Sequence, residues 1–530
     1  MTDLRPFQQQ AKFEVDVAWM LGFQNVLMVM PTGAGKTVTF SRIIADEVRP
    51  SVAIVHRQEL VSQISLALAR NGVRHRIIGP ASVARTCTQI HMAEVGRNFV
   101  DPLNIRAVAG VDTLVRMDQK DPWFGSVALT VTDEAHHVLR KNKWGQAMAM
   151  FPNARGLGVT ATPTRADGCG LGRSSDGLFD HMVLGPTMRD LINDRWLTEY
   201  RIFAPPSDLD LSAVPLSASG DFSPQKLSAA VHKSHIVGDV VAHYKKIAMG
   251  KLGVTFAVDV KAAEEIATAY RAAGVNAQVV SAKTPDALRA SVLRRFAVGE
   301  IQQLVNVDLF GEGFDLPALE VVSFARPTES YSLYCQQFGR ALRLKDGKSR
   351  AIIIDHVGNV HRHGLPDAPR VWSLDRRERR SRGVVEGVIP VRTCDTCMSA
   401  YERIYKACPY CGNEPQPQDR SVPAAVDGDL CELTQEALDK LRGEIDAPLK
   451  LPYGAAPEVI GAIKKRHREK QEVQNELRNA MAVWGGARTM TGESIPVAQR
   501  RFFHTYGIDV GTAQTLGRKE AEELLERIKR

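Results

Sequence analysis

The stretch "NVLMVMPTGAGKTVTFSRIIADEV", residues 25–48, decides the fold. Its first six residues, Asn25–Met30, form a short apolar run closed by Pro31, the pattern of a buried strand, and Val38–Val48 carries helical spacing. Gly33, Ala34 and Gly35 therefore sit at a strand-to-helix turn. Small residues there, from Thr32 to Gly35, let backbone N–H groups curl around an anion, and the helix that follows adds its positive end. Lys36 suits neutralisation of outer phosphates, and the Thr37 hydroxyl suits Mg²⁺. Met30 stands where the strict pattern G-x4-G-K-[ST] has its first Gly, which leaves an inert glycine turn as the bland alternative. The strand-turn-helix context favours phosphate.

Working outward, residues 24–165 alternate short apolar runs with helical segments: "NVLMVM", "SVAIVH", "IRAVAG", "VALTVTDEA" and "GLGVTAT" are the strand candidates. Such alternation implies a parallel sheet covered by helices, with ligands at the carboxyl ends of the strands. Around 166–195 the pattern loosens into a Gly-rich connector, and a second series follows: "LGVTFAV", the helix "KAAEEIATAYRAAG", "AQVVSA", "QQLVNV", "VVSFA" and "AIIID". The second series has no Gly-Lys-Thr turn. The fold class is thus α/β, with two parallel-sheet lobes in tandem at 1–195 and 196–375. A basic linker at 376–390, a cysteine module at 391–414, a polar linker at 415–430 and a helical region at 431–530 complete the chain. In that helical region the longest amphipathic stretch runs near 456–484, ended by "WGG", and a last helix covers 517–529.

Composition sets the outer limits. A chain of 530 residues predicts more than one core. No apolar run approaches the roughly 20 residues of a membrane helix, and "MTDLRPFQQQ" lacks a basic-then-apolar signal pattern, so the expectation is a cytoplasmic protein with no membrane partner, in a bacterial or phage-infected cytosol. The formal net charge of +8 is concentrated in "RRERRSR" at 376–382 and "KKRHREK" at 464–470. Runs like these form solvated faces or neutralise nucleic-acid phosphates.

The segment "VTDEAHH" at 131–137 closes an apolar strand about 100 residues after the phosphate loop. Asp133 there suits Mg²⁺ held jointly with Thr37, and Glu134 suits orienting and deprotonating a water. This Asp-Glu-Ala-His resembles the motif of DEAH-box superfamily 2 helicases and translocases, and further segments match in family order. "LRPFQQQ" resembles the adenine-reading motif, which implies that role for Gln8, with Arg5 and Phe7 nearby. "VHRQELVSQ" at 55–63 and "GVDTL" at 110–114 resemble strand-contacting motifs, and "TATPTR" at 160–165 the motif coupling hydrolysis to movement. "LVNVDLFGEGFDLP" at 304–317 and "QQFGRALR" at 336–343 resemble motifs V and VI. Arg340 and Arg343, three apart on one face of an expected helix, would stabilise charge on a transferring phosphoryl group. Gly313 and Asp315 match motif V, with Asp315 implied near the ribose, whereas Val307 and Glu312 depart from it and carry no assigned strand contact.

The resemblance spans about residues 4–372 and implies tandem RecA-like lobes, ATP and Mg²⁺ as cofactors, and an ATP-dependent helicase or translocase acting in replication, recombination or repair. His136 and Gln336, where RNA-directed DEAD relatives have Asp and His, resemble the DNA-directed branch of repair translocases, phage helicases and restriction motors, so duplex, forked or branched DNA is the implied partner. Two alternatives stay open: a nucleotide-switched DNA clamp or loader that separates no strands, and the motor subunit of a restriction or defence complex. Cys394, Cys397, Cys408 and Cys411 form two C-x2-C knuckles at zinc-ribbon spacing, which predicts one structural Zn²⁺. Arg392, Tyr401, Arg403, Tyr405 and Lys406 border them and suit nucleic-acid contact or a protein partner. His356, His361 and His363 read as loop and surface histidines, and the aromatics of "QRRFFHTYGIDVGTAQTL" as core or as surfaces for bases.

Overall fold

The computed structural model describes residues 3–217, 219–234, 236–307, 319–376, 389–415, 457–490, 493–514 and 516–529. The chain forms two compact units. Met1–Asp367 with Val371–Gly383 make the first, and Ala368–Arg370 with Val384–Arg530 the second.

The first unit holds two sheets. Seven strands build one: β1 (Asn25–Val29), β2 (Ser51–Val55), β3 (Arg76–Ile78), β4 (Ala107–Gly110), β5 (Leu129–Asp133), β6 (Arg155–Thr160) and β7 (His181–Leu184), in the order β3-β4-β2-β5-β6-β1-β7. Six build the other: β8 (Tyr200–Phe203), β9 (Gly253–Phe256), β10 (Ala277–Ser281), β11 (Gln303–Val307), β12 (Val321–Phe324) and β13 (Ala351–Asp355), in the order β10-β11-β9-β12-β13-β8. Every pairing in both is parallel. The central strands are covered on both faces, so β2, β5 and β13 are buried along their whole length, as their apolar sequences require.

Parallel register brings distant sequence together. Val29 pairs with Thr160 and Asp133 with Val159, so β1 and β5 end level on the same edge with only β6 between them, about 10 Å apart at two strand spacings. The glycine turn of residues 31–35 leaves β1 at that edge and the Asp-Glu pair ends β5.

The stretch 166–195, expected as a connector, instead contributes β7 to the edge of the first sheet. The chain leaving the second sheet returns to the first: Gly172 donates its N–H to the Leu374 carbonyl at 2.8 Å, and Arg376 pairs with Asp176 at 2.6 Å. A Cβ on Gly170 would lie 2.6 Å from the Arg376 nitrogen, so the strap needs glycine beneath it.

In the second unit, β14 (Val391–Thr393) and β15 (Ala400–Glu402) form a short antiparallel ribbon. Helices follow at Pro457–Met490, Ile495–Tyr506, Val510–Ala513 and Arg518–Lys529 around a core of Leu477, Met481, Phe502, Tyr506, Leu524 and Leu525. The long helix runs through Trp484-Gly485-Gly486, where the sequence suggested its end. Trp484 packs edge-on against Phe502 and Tyr506, and that packing outweighs a propensity cost of about 1 kcal/mol per glycine. Phe502 and Tyr506 are therefore core. Arg500 bonds the buried Glu402 carboxylate of β15, tying helix Ile495–Tyr506 to the ribbon. The basic run 464–470 lies on the long helix, and the residues of 376–382 beyond Arg376 lie outside the described residues.

Candidate active site

Helix Lys36–Asp46 is capped by Gly35, and both Gly33 (φ +90°) and Gly35 (φ +83°) occupy the left-handed region that glycine alone enters freely. Space is equally restrictive. A Cβ on Gly33 would sit 2.8 Å from Leu197 Cδ2, and one on Gly35 would sit 2.5 Å from Gln8 Nε2. Lys36 Nζ donates to the Met30 carbonyl at 3.4 Å, so the residue that departs from the strict motif serves through its backbone. Ala34 and Thr32 are buried, Thr37 lies half-buried in the first helical turn, and the buried Thr32 hydroxyl has no hydrogen-bond partner among the described residues. A cradle that excludes side chains, a lysine and an orphaned hydroxyl fit a polyphosphate.

Gln8 is buried and fully engaged: its Nε2 donates to the Ala34 carbonyl at 2.9 Å, and its Oε1 accepts from the Arg5 N–H at 2.9 Å. It braces the loop from behind. The Arg5 guanidinium lies 4.6 Å from the Trp196 ring centroid, and Phe7 meets the same ring edge-on at 5.9 Å.

At the end of β5, Asp133 Oδ1 accepts the Glu134 N–H at 3.0 Å, and Glu134 takes φ +50°, a conformation costly for a residue with a Cβ. The strain turns its carboxylate toward the second lobe. Glu134 Oε2 accepts a hydrogen bond from Gln336 Nε2 at 3.0 Å and lies 3.4 Å from His136 Nδ1. His136 in turn meets the Thr160 hydroxyl at 3.1 Å, and Arg165 Nη1 donates to the His136 carbonyl at 3.0 Å. The "TATPTR" segment thus touches the acidic motif directly.

The second lobe closes over this loop. Gly339 has Thr32 so near that a Cβ on it would lie 2.5 Å from the Thr32 Cβ. Helix Tyr331–Gly339 stops there; Arg340 opens a short 3-10 turn and Arg343 has extended backbone, so the two arginines do not share one helix face as expected. The chain tightens where this turn packs beside β13 and Gly339 meets Thr32, and both arginine charges still act on Lys36. Burial pulls the Lys36 pKa down, Glu134 and Asp133 oppose that pull, and Arg340 and Arg343 add to it. Burial likewise lowers the Arg343 pKa. One ammonium, two carboxylates and two guanidiniums from both lobes form a single charge cluster. Gly313 and Asp315 lie outside the described residues, as does Glu312; Val307 ends β11, buried.

Sequence reasoning quoted Gln336 only as a branch marker and gave Trp196 and Leu197 no role. Gln336 had a signal, its position in "QQFGRALR"; Trp196 and Leu197 had none. In the segments expected to contact a strand, Glu59 pairs across the lobes with Arg289 at 2.9 Å, and Asp112 pairs within the first lobe with Lys143 at 2.9 Å. His56 packs edge-on against His137 and Trp144. The expectation of surface histidines at 356–363 fails for two of them: His356 and His363 are buried, because His356 directly follows the buried strand β13 and His363 stacks on Tyr334 and bonds the Thr328 carbonyl at 2.8 Å.

The four cysteine sulfurs of the ribbon lie within 4.8 Å of one another, with Cys394–Cys411 at 3.5 Å and Cys397–Cys408 at 3.7 Å. Sulfurs on a tetrahedron at the usual Zn–S distance would be about 3.8 Å apart, so the donor set fits zinc. Of the bordering residues, Tyr401 is buried against Cys394 and Cys408, and Arg392 donates to the Arg403 carbonyl at 2.9 Å, so these two serve the ribbon itself; Lys406 is exposed.

Residues 1–165 match the family described as "Type III restriction enzyme, res subunit", and residues 235–345 match "Helicase conserved C-terminal domain". The chain is 31% identical over 415 residues to a "51.5 kDa protein" of a Lactococcus phage, covering 78% of this chain and 83% of that protein. It is 29% identical over 393 residues to the Saccharomyces cerevisiae protein named "Putative ATP-dependent helicase IRC3", covering 70% of this chain and 54% of that one, so it spans about half the length of the yeast relative. A solved HsdR subunit fragment of a type I restriction enzyme from Vibrio vulnificus superposes with a TM-score of 0.49 at 21% identity, covering 68% of this chain and 66% of that one.

Proposed function

Because the chain belongs to the helicase family that joins a restriction-enzyme res-subunit module to a helicase conserved C-terminal module, we propose that it is an ATP-driven DNA helicase or translocase of superfamily 2. The observation that carries this reading is the cross-lobe contact at the glycine turn, where Gln336 donates to Glu134 at 3.0 Å and Gly339 packs on Thr32, with the charges of Arg340 and Arg343 acting on Lys36. A nucleotide site divided between two lobes makes hydrolysis depend on how the lobes are held.

Each residue then has a role. ATP supplies the phosphoryl group whose transfer releases energy, and Lys36 with the Thr32–Gly35 backbone neutralises and orients the phosphates. Thr37 and Asp133 would hold Mg²⁺. Glu134 takes a proton from the attacking water, Gln336 orients Glu134, and Arg340 with Arg343 stabilises the charge that develops. Gln8 keeps the loop in shape and, with Arg5, Phe7 and Trp196 beside it, adjoins the adenine, while Gly313 and Asp315 serve the ribose side. Strand contact falls to the segments at 55–63 and 110–114, and the ribbon, organised by one Zn²⁺, with the basic stretch at 464–470 adds affinity for forked or branched DNA or docks a protein. No helix among the described residues is long and apolar enough to cross a membrane.

The test is ATP turnover measured alone and with single-stranded, duplex, forked and four-way DNA and with RNA. Stimulation by DNA is expected. Stimulation by RNA alone overturns the substrate class, and turnover indifferent to every nucleic acid overturns the motor.

A further inference from the structure

A turn in the connection between β8 and β9 belongs to none of the motifs above, yet it touches both halves of the site. Leu216 bridges Phe222 in antiparallel fashion, Ser217 donates its N–H to the Asp221 carbonyl at 2.7 Å, and Gly220 donates to the Ser217 carbonyl at 3.0 Å. Phe222 is buried with Val214 and Leu227, which anchors the turn on the second lobe. Its tip reaches the first lobe. Gly220 has φ +83°, and a Cβ built on it would lie 2.2 Å from the Ala166 carbonyl oxygen and 2.7 Å from the Asp167 nitrogen. That is backbone against backbone, immediately after Arg165, which is itself bonded to the His136 carbonyl.

The next residue faces the other way. Asp221 accepts the Thr328 hydroxyl at 2.9 Å and the Glu329 N–H at 2.7 Å. Ser330 follows and caps helix Tyr331–Gly339 by accepting the Leu333 N–H at 3.2 Å. This helix carries Gln336 and ends on Arg340. Two adjacent residues thus join the segment locked to the acidic motif in one lobe to the start of the arginine-bearing helix in the other.

We propose that Gly220 and Asp221, held by their backbone bonds to Ser217, form a bracket that sets the register of the second lobe on the first, and that both are positioning residues for ATP hydrolysis. The inference rests on the ATPase reading above. Only glycine allows the tip to seat, because any Cβ meets a carbonyl that cannot move without shifting Arg165. Asp221 serves as a double acceptor, and its loss frees the loop before Ser330. Neither residue touches nucleotide, so both act on hydrolysis rather than on binding.

The experiment compares Gly220→Ala, Asp221→Ala and Asp221→Asn with the wild-type chain, each checked for an unchanged melting profile. Expected for Gly220→Ala and Asp221→Ala is a kcat lower by about tenfold or more with the Kd for ATP within about threefold, and substantial rescue in Asp221→Asn, which keeps an acceptor for the Glu329 N–H. In the Arg340→Ala background, Gly220→Ala should add less than about twofold, since the group it positions is gone. Wild-type kcat in Gly220→Ala, or losses that multiply in the double variant, overturns the bracket. Absence of any ATP turnover by the wild-type chain sinks the ATPase reading instead; amide exchange over Tyr331–Gly339 then decides the bracket, faster exchange in Gly220→Ala supporting it and unchanged exchange refuting it.

Discussion

Gln336→Ala removes the hydrogen bond that crosses the lobes to Glu134, the carboxylate we assign to activating water. In the structure Gln336 Nε2 lies 3.0 Å from Glu134 Oε2, with Gln336 3% and Glu134 7% exposed, so solvent cannot replace the lost donor. A hydrogen bond to a charged acceptor contributes about 1.5–3 kcal/mol. Removing it lowers the closed-to-open ratio of the lobes by about 10- to 150-fold, and kcat falls toward that factor where closure is not otherwise saturated. Gln336→Glu is harsher: a second carboxylate about 3 Å from the first adds a repulsion of about 5 kcal/mol at an effective dielectric constant near 20. Steady-state ATP hydrolysis at saturating ATP and DNA should therefore rank wild type above Gln336→Ala above Gln336→Glu, with nucleotide binding to the Lys36 loop retained in all three. A kcat for Gln336→Ala within twofold of wild type, or a glutamate variant as active as the alanine one, would refute the assignment of Gln336 as the group that orients Glu134.

Lys36→Ala should abolish nucleotide binding, whereas Glu134→Gln should retain bound ATP and hydrolyse it far more slowly; equilibrium binding beside single-turnover hydrolysis separates the two. Arg340→Ala and Arg343→Ala should lower turnover by up to about 10³-fold with little change in binding, and normal turnover in both would dismiss the shared site. Burial holds His75 neutral with its pKa pushed down to about 4, its ring bonded to Ser65 at 2.7 Å. A lowered histidine contributes stability that is complete above its unfolded pKa near 6.5 and is lost as pH falls through that value toward 4, about 2 kcal/mol by pH 5, so thermal unfolding at pH 5 against pH 7.5 should show a drop that His75→Gln reduces. Metal analysis should find one zinc per chain, and its removal should disorder the ribbon and loosen helix Ile495–Tyr506 through the Arg500–Glu402 bond while both large sheets persist; a zinc-free protein with an intact ribbon overturns this. A chain ending near residue 380 should keep basal ATP hydrolysis and lose DNA affinity, and unchanged affinity would assign the tail to protein docking.

The parts of the fold legible in the sequence are those buried on both faces. β1, β2, β5 and β13 read as continuous apolar runs because both sides of each strand are covered. Of the parallel-sheet strands, the three that went unread, β3, β7 and β8, all sit at an outer edge of a sheet, as the strand orders show. Arg76-Ile77-Ile78 has three residues, and His181–Leu184 is half exposed, so neither carries enough apolar periodicity to stand out from loop. The same logic governs the site. Gly33, Gly35, Lys36, Asp133 and Glu134 were visible because their chemistry demands fixed types at fixed local spacing. Trp196 beside Arg5, Thr32 against Gly339, and Gly220 against Ala166 depend on which surfaces meet after folding, and no local spacing encodes that.

What the closed arrangement gains from its polar contacts is uniqueness more than stability. The Gln336–Glu134 hydrogen bond contributes about 1.5–3 kcal/mol, a small sum against the cost of ordering two lobes, and Arg289 with Glu59 makes a second polar contact between the lobes at 2.9 Å. Away from this arrangement Glu134 would lose the Gln336 donor that now lies 3.0 Å from it, and at Gly220 the approach to Ala166 is already so close that a Cβ would lie 2.2 Å from the carbonyl oxygen. A buried acceptor left unsatisfied costs about 1–3 kcal/mol, and more when it is charged, so a mismatched arrangement is penalised. Nucleotide and nucleic acid need then supply only enough binding energy to choose between an open state, in which these groups are hydrated, and one closed state in which all of them are matched at once. That asymmetry suits a motor, because a cycle that closes into a single register returns Arg340 to the same place at every turn.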